Sequence, residues 1–515
     1  MEESRVDLLI MNAIVVTVDD GNRVFDDGAI AVRGDRIVDV GPSQEVAKRY
    51  VADRVIDAHR MLAMPGLVDT YAHAGHGMIK GIYRAGIGWP TTEVYFHGST
   101  PDWWHADGLL TAVERVKYGV TTGVSIMGAT PARADRPDLA ERNAEAVETV
   151  GLRSFIGIGP PDPFIFRETK PWTTTSYEGD QPVEEPFTYE QTIEVSRDVI
   201  GRLKGKANGR VQTMLAVPYL CGLNPKHMKG SHCYPYSDED VQVLVEKGLE
   251  AREIAEEFDV IIHTHGARGT LEWAWENYGP GALEQILGED VIFGHANGLT
   301  DLDVSIMRQQ GCAAAAVPFA PWNTYLGACP VVKLIQNGVR VAIATDGAAP
   351  YFVSDLFIGL HRTMFLQWME NHDMSLLPSG RTVRLATVEA AALLGMDDEI
   401  GSLEVGKKAD VILVDINQPH LTPFKDPANM IAWYVRGNDV DTVIIDGAVV
   451  MEGRQMLTVD EEAVLEFARE EIEKSFERVD VSEYLHHDED FWSGWRSGWD
   501  SRVTQDARAS EEGVA

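Results

Sequence analysis

Four residues, His73, His265, His295 and Asp346, each close or follow a short apolar run. The runs are Leu67-Val-Asp-Thr, Val260-Ile-Ile-His-Thr, Val291-Ile-Phe-Gly and Val341-Ala-Ile-Ala-Thr. Imidazole and carboxylate together suit one divalent metal ion, zinc first, with iron, cobalt or manganese as alternatives. Such an ion would bring a water's pKa toward neutrality and polarise the bond being broken. A lone histidine after a strand is more often a packed core residue than a ligand. Four such residues at the ends of successive runs point to one site. The segment 211–220 offers no lysine or carboxylate to bridge a second ion, so a single ion is expected.

Further candidates surround these four. Tyr71 stands two residues before His73 and faces the same way on a strand. Its phenol could ligate the ion, hydrogen-bond the ion's water, or fill space while His76 takes part. His263, two residues before His265, faces the site as a substrate contact. Trp89, Trp322 and Asn323 are candidates for a pocket that would suit an aryl or alkyl group. Asp346, His295 and Arg268 are the candidate catalytic residues.

These side chains need a scaffold that brings distant strand ends together. Between residues 62 and 401 strand-like runs alternate with helix-like segments. The runs are 67–70, 122–126, 152–158, 211–218, 260–265, 291–295, 313–317 and 339–345. Ser237 and Thr300 have the side chains of helix N-caps for the segments that follow them. Eight such units predict an α/β fold, a (β/α)8 TIM barrel with its chemistry at the C-terminal strand ends. Residues 81–108 and 160–195 read as long loops, the first rich in aromatics. Short β-rich runs with Asp-Gly turns at both ends of the chain predict a small antiparallel β-sandwich from 1–61 and 402–455. Residues 456–515 read as a helix over 456–478 and a tail. Five aromatics of that tail (Tyr484, Phe491, Trp492, Trp495, Trp499) suggest docking on the body or on another copy, a homo-oligomer.

Among 515 residues the net charge is −35, which argues against nucleic acid as a partner. The four cysteines show no framework spacing, the N-terminus has no apolar leader, and no apolar run would span a membrane. A cytoplasmic protein with a small-molecule substrate is expected.

Five segments together carry a resemblance: Pro65-Gly-Leu-Val-Asp-Thr-Tyr-Ala-His73, His263-Thr-His265, Gly294-His295-Ala-Asn-Gly-Leu-Thr-Asp, Ala344-Thr-Asp346-Gly-Ala-Ala and Ile400-Gly-Ser-Leu-Glu-Val-Gly-Lys-Lys-Ala-Asp410. The chain resembles the amidohydrolase superfamily over about residues 5–455, in the branch of triazine hydrolases, guanine deaminase and adenosylhomocysteine deaminases. The resemblance implies a (β/α)8 barrel with a composite β-sandwich, and hydrolysis by metal-activated water. It also exposes two departures. The family has a second histidine where Tyr71 stands; the phenylurea and thiocarbamate hydrolases, which this chain also resembles, likewise have an altered first-strand motif. This branch has a proton-shuttling glutamate where Arg268 stands.

Arginine cannot deliver a proton to a ring nitrogen, because its pKa stays above about 12. The sequence therefore favours cleavage of a C–N bond in an amide, urea or carbamate. Asp346 would be both ligand and base, and Arg268 would hold a substrate oxygen or carboxylate unless it is a structural ion-pair partner. A deaminase or dechlorinase acting on a purine- or triazine-like ring is the alternative. A non-catalytic relative with a decayed metal site is the third reading.

Overall fold

Strands covered on both faces need continuous apolar runs rather than alternation, and the runs that lead to the candidate ligands are of this kind. The computed structural model describes residues 4–84, 88–128, 132–164, 172–179, 181–227, 236–349, 353–487 and 492. Its barrel strands are Leu67–Asp69, Val120–Met127, Arg153–Ile158, Val211–Ala216, Ile262–Ala267, Val291–Asn297, Ala313–Ala316 and Arg340–Ile343. Each pairs in parallel with the next. Every expected strand is present, with ends moved by at most two residues. Ser237 and Thr300 cap the helices Asp238–Phe258 and Asp301–Gln310, each in a reciprocal capping box.

The first and eighth strands close the barrel by individual contacts rather than a ladder. At the C-terminal end the Asp346 N–H donates to Tyr71 O at 2.9 Å. The Thr345 N–H and hydroxyl donate to the Asp69 carboxylate at 3.0 and 2.6 Å. Lower down, Val68 and Ile343 donate to the carbonyls of Ala386 and Leu385, both at 2.9 Å.

A second, nine-stranded sheet draws on both ends of the chain. Its seam is Met61–Pro65, parallel to Ser4–Val16 on one side and antiparallel to Val411–Asp415 on the other. The run around Met64 is thus two strands, one in each sheet, divided at Gly66. A Cβ there would fall 2.1 Å from Thr121 Oγ1, so the crossing admits only glycine. Two details differ from the expected antiparallel unit. Residues 6–10 and 13–16 belong to one strand with irregular register, and Tyr50–Asp57 pairs in parallel with it.

The two sheets meet over buried charge. The Arg153 side chain, 1% exposed, contacts the carboxylates of Asp410 and Asp446 and donates to Thr122 Oγ1 at 3.0 Å. Lys408 reaches Asp446 and Asp35, both at 3.0 Å. The conspicuous Gly-Lys-Lys-Ala-Asp segment is therefore part of the joint between sheets and contributes no side chain to the site.

Both expected long loops contain regular structure. Residues 101–108 open the helix Pro101–Lys117, and Trp103 and Trp104 are wholly buried core. Residues 172–187 form an antiparallel hairpin, Trp172–Glu178 with Gln181–Phe187, followed by the helix Tyr189–Leu203. The pattern read over 456–478 forms the helix Glu461–Arg478, which packs along Pro101–Lys117. Glu461 pairs with Lys117 at 2.7 Å, and the buried Tyr484 donates to the Glu93 carboxylate at 3.0 Å. Trp492 is 93% exposed, and Phe491, Trp495 and Trp499 lie outside the described residues. Among the described residues no helix is long and apolar enough to cross a membrane.

Removing one partner of a buried charge cluster leaves the others uncompensated. Replacing Arg153 by Met should lower unfolding free energy by about 3–5 kcal/mol, read from urea denaturation. A loss below about 1 kcal/mol, the range of an exposed pair, would show that the network does not hold the sheets together.

Candidate metal centre

The candidate ligands converge at the C-terminal end of the barrel, and all are buried. His73 follows the first strand, His265 lies in the fifth, His295 in the sixth, and Asp346 just past the eighth. His295 and Asp346 hold left-handed backbone conformations, with φ of +63° and +69°. For non-glycine residues this is strained geometry of the kind that collects at functional sites. His73 Nε2 lies 3.4 Å from Asp346 Oδ1, and His295 Nε2 lies 3.6 Å from Oδ2.

Backbone carbonyls orient two of the imidazoles. His73 Nδ1 is 2.7 Å from Gly128 O, and His265 Nδ1 is 2.9 Å from Pro218 O. A carbonyl only accepts, so each Nδ1 carries the hydrogen and each Nε2 presents a lone pair. Burial first, then neighbouring histidines, hold His73 well below the ordinary imidazole range, so it is neutral. Burial likewise lowers His295 and His263 and raises Asp346.

Tyr71 occupies the middle of this group. Its Oη lies 2.7 Å from His73 Nε2, 2.7 Å from His265 Nε2 and 3.3 Å from His295 Nε2. It also hydrogen-bonds the Asp346 carboxylate, while burial and that carboxylate raise its pKa well above the usual phenol value. Among the described residues no group of three or more His, Cys, Asp and Glu is already placed to hold an ion; Tyr71 Oη stands at the point where they converge. The donor set nevertheless fits a cation. Several lone-pair acceptors face one hydroxyl hydrogen, and positive charge at their centre would satisfy them together.

Of the other candidates, His76 donates from Nδ1 to Asp346 O at 3.0 Å, which ties the turn after the first strand to the eighth. Burial pushes its pKa down to about 3, and its ring lies 5.1 Å from Trp89. His263 stacks on Tyr71 at 4.5 Å. Asn323 braces loops, accepting from the Asn297 amide and donating to the carbonyls of Val317 and Pro318. The Trp322 side chain falls outside the described residues. Arg268 is exposed on the turn after the fifth strand, so the structure does not bring it into the buried cluster.

Sequence reasoning passed over three carboxylates that build the site. Asp69 joins the first strand to Thr345. Asp107, in the helix Pro101–Lys117, accepts from the Gly75 N–H at 2.6 Å and from Gly77, fixing the turn between His73 and His76. Asp303 accepts from the N–H groups of Gly269, Leu271 and Glu272 and so holds the turn bearing Arg268. Each is a carboxylate in a mostly apolar neighbourhood of the sequence, and that signal could have found them.

A model described as the amidohydrolase family matches residues 62–450. Another, an imidazolonepropionase-like composite domain of bacteria, matches residues 28–50. A 5-methylthioadenosine/S-adenosylhomocysteine deaminase of Desulforudis audaxviator is 32% identical over 92% of this chain and 100% of its own. A 5′-deoxyadenosine deaminase of Methanosarcina mazei is 27% identical over 92% and 99%. Among solved structures, an adenosine deaminase from Xanthomonas campestris with bound zinc superposes with a TM-score of 0.74 at 21% identity, covering 92% of this chain and 99% of that one. For an atrazine chlorohydrolase from Arthrobacter aurescens complexed with zinc and atraton the values are 0.70, 19%, 90% and 100%. The chain belongs to the amidohydrolase family and is a hydrolase of carbon–nitrogen bonds other than peptide bonds.

Burial raises Asp107 from 3.8 to about 6. The folded state therefore holds a proton that the unfolded state releases, and Asp107's contribution to stability declines as pH rises through this window. Wild type should lose up to about 3 kcal/mol relative to Asp107→Asn between pH 4 and 7, read from denaturation midpoints at each pH. A pH-independent gap between the two proteins would refute the shift.

Proposed function

We propose that this enzyme is an aminohydrolase that replaces the exocyclic amino group of an adenosine-type nucleoside with oxygen and releases ammonia. The observation that carries this reading is the end-to-end likeness to deaminases of 5′-substituted adenosines. The convergence of His73, His265, His295 and Asp346 at the barrel mouth supports it. Water adds to the carbon bearing the amino group, one of its protons goes to the ring nitrogen, and the other leaves with the amine as ammonia. A divalent ion held by those four residues would supply acidity to the water and charge at the reacting carbon. Asp346, between His73 and His295, takes the first proton and returns it to the substrate, with His295 beside it as hydrogen-bonding partner. The proton delivery that Arg268 cannot perform thus falls to Asp346, while Arg268 meets polar groups of the substrate at the rim. Cys221, Cys312 and Cys329 are free and buried, which supports a reducing, cytoplasmic setting.

Hydrolysis of an amide, urea or carbamate is the second reading. Arg268 favours it, because a guanidinium would bind a substrate carbonyl where the resemblance puts a glutamate. The two separate on one panel: ammonia, amine and chloride release from 5′-methylthioadenosine, S-adenosylhomocysteine, 5′-deoxyadenosine, phenylureas and chlorotriazines. Ammonia should come from the adenosines alone. Amine from ureas with no ammonia from any adenosine would reverse the assignment. Asp346→Asn should lower kcat/KM by roughly 10³-fold or more with the fold intact by circular dichroism. Chelation should abolish turnover and zinc should restore it; full activity in either test would refute the site.

A further inference from the structure

Arg133 is buried, 2% exposed, on the segment that follows the second barrel strand. Its guanidinium meets several partners at once. Nε and Nη2 donate to the two Asp135 oxygens at 2.6 and 2.9 Å. Nη1 donates to Ser99 Oγ at 3.2 Å, and Nη2 also reaches Thr174 Oγ1 at 3.3 Å. The guanidinium carbon lies 4.6 Å from the centre of the Phe96 ring. Phe96 and Ser99 precede the helix Pro101–Lys117, and Thr174 lies in the strand Trp172–Glu178. A buried ion pair is weak evidence of stability, since apolar side chains of similar volume often serve as well. What the planar fork adds is fixed geometry between the segments it touches.

Two routes run from this fork to His73. The first is the backbone. The Arg133 N–H donates to Met127 O at 3.0 Å, and Ala132 pairs with Gly128 in an antiparallel bridge. Gly128 O, held in this way, accepts the Nδ1 hydrogen of His73 at 2.7 Å. The second route passes through Ser99, whose hydroxyl donates to Tyr95 O at 2.6 Å. The Tyr95 ring abuts Gly75, two residues after His73, where a Cβ would fall 2.7 Å from Tyr95 Cζ. The carbonyl that orients the imidazole and the turn that follows it are both tied to Arg133.

We infer that Arg133 is a positioning residue for the metal centre. Through Gly128 O and Tyr95 it sets the orientation in which His73 Nε2 faces Asp346, 3.4 Å away. None of its contacts is with a candidate ligand, so it acts through His73. The inference rests on reading His73 as a ligand and adds to it the side chain that holds that ligand in place.

The test measures zinc affinity, by competition with a chromogenic chelator, in wild type, Arg133→Met, His73→Ala and the double variant. Arg133→Met should bind zinc roughly 10- to 100-fold more weakly and shift the visible absorption of cobalt(II)-loaded protein. In the His73→Ala background the same substitution should change zinc affinity less than about twofold, because the residue it positions is gone. Arg133→Lys keeps a charge beside Asp135 but loses the fork. It should fold by circular dichroism and bind zinc with an affinity between those of wild type and Arg133→Met. Measured alone and with His73→Ala, it keeps the test decisive if the methionine variant does not fold. Wild-type zinc affinity in the Arg133 variants, even with a lowered urea midpoint, would show a structural role only and overturn the inference. A loss of affinity that persists undiminished in the His73→Ala background would overturn it too. Wild type that takes up no zinc, or His73→Ala that binds it as tightly as wild type, would instead sink the metal-centre reading, and this inference with it.

Discussion

The site depends on how the first barrel strand is held to the eighth. Asp69, fully buried in the first strand, receives two hydrogen bonds from Thr345 and lies 3.8 Å from the Arg115 guanidinium. Arg115 also donates to Val124 O and Ser125 Oγ in the second strand. A charged acceptor with neutral donors makes stronger bonds than backbone pairing alone, and these three strands meet through it. Tyr71 and His73 lie immediately beyond this knot on one side, Asp346 on the other. The Asp346 N–H on Tyr71 O completes it.

Much of this architecture was legible because barrel strands buried on both faces have an unusual texture. Continuous apolar runs such as Val291-Ile-Phe-Gly announce strand ends within two residues, and the metal-ligand types at those ends announce a site. What escaped notice depends on contacts that no local pattern carries. Trp103 and Trp104 read as loop aromatics, yet they are wholly buried, packed on each other and on Tyr95, and no periodic pattern announces that cluster. The pairing of Trp172–Glu178 with Gln181–Phe187 was hidden by prolines and polar residues, since its second strand is exposed up to Phe187 and needs no apolar alternation. The Lys-Lys-Ala-Asp segment drew attention for its composition, yet its charges serve Arg153 and Asp35.

Tyr71 and Arg268 mark where this chain leaves the family pattern, and the structure gives them opposite characters. Tyr71 is wholly buried, stacked on His263 and surrounded by the candidate ligands. Arg268 is exposed on a turn that Asp303 holds by three N–H groups. The first lies among the candidate ligands, and the second on an exposed turn three residues after His265. Relatedness to deaminases is therefore informative about the barrel and the chemistry it can host.

The seam strand Met61–Pro65 has a consequence for how the molecule assembles. Its partner, Val411–Asp415, is made some 350 residues later. Barrel units can dock on their neighbours as they emerge, but the N-terminal sheet stays open along one edge until Val411–Asp415 is made. Long-range pairing of this kind slows folding and leaves a strand edge exposed meanwhile. Residues 4–65 thus depend, while the chain is nascent, on a partner strand not yet made.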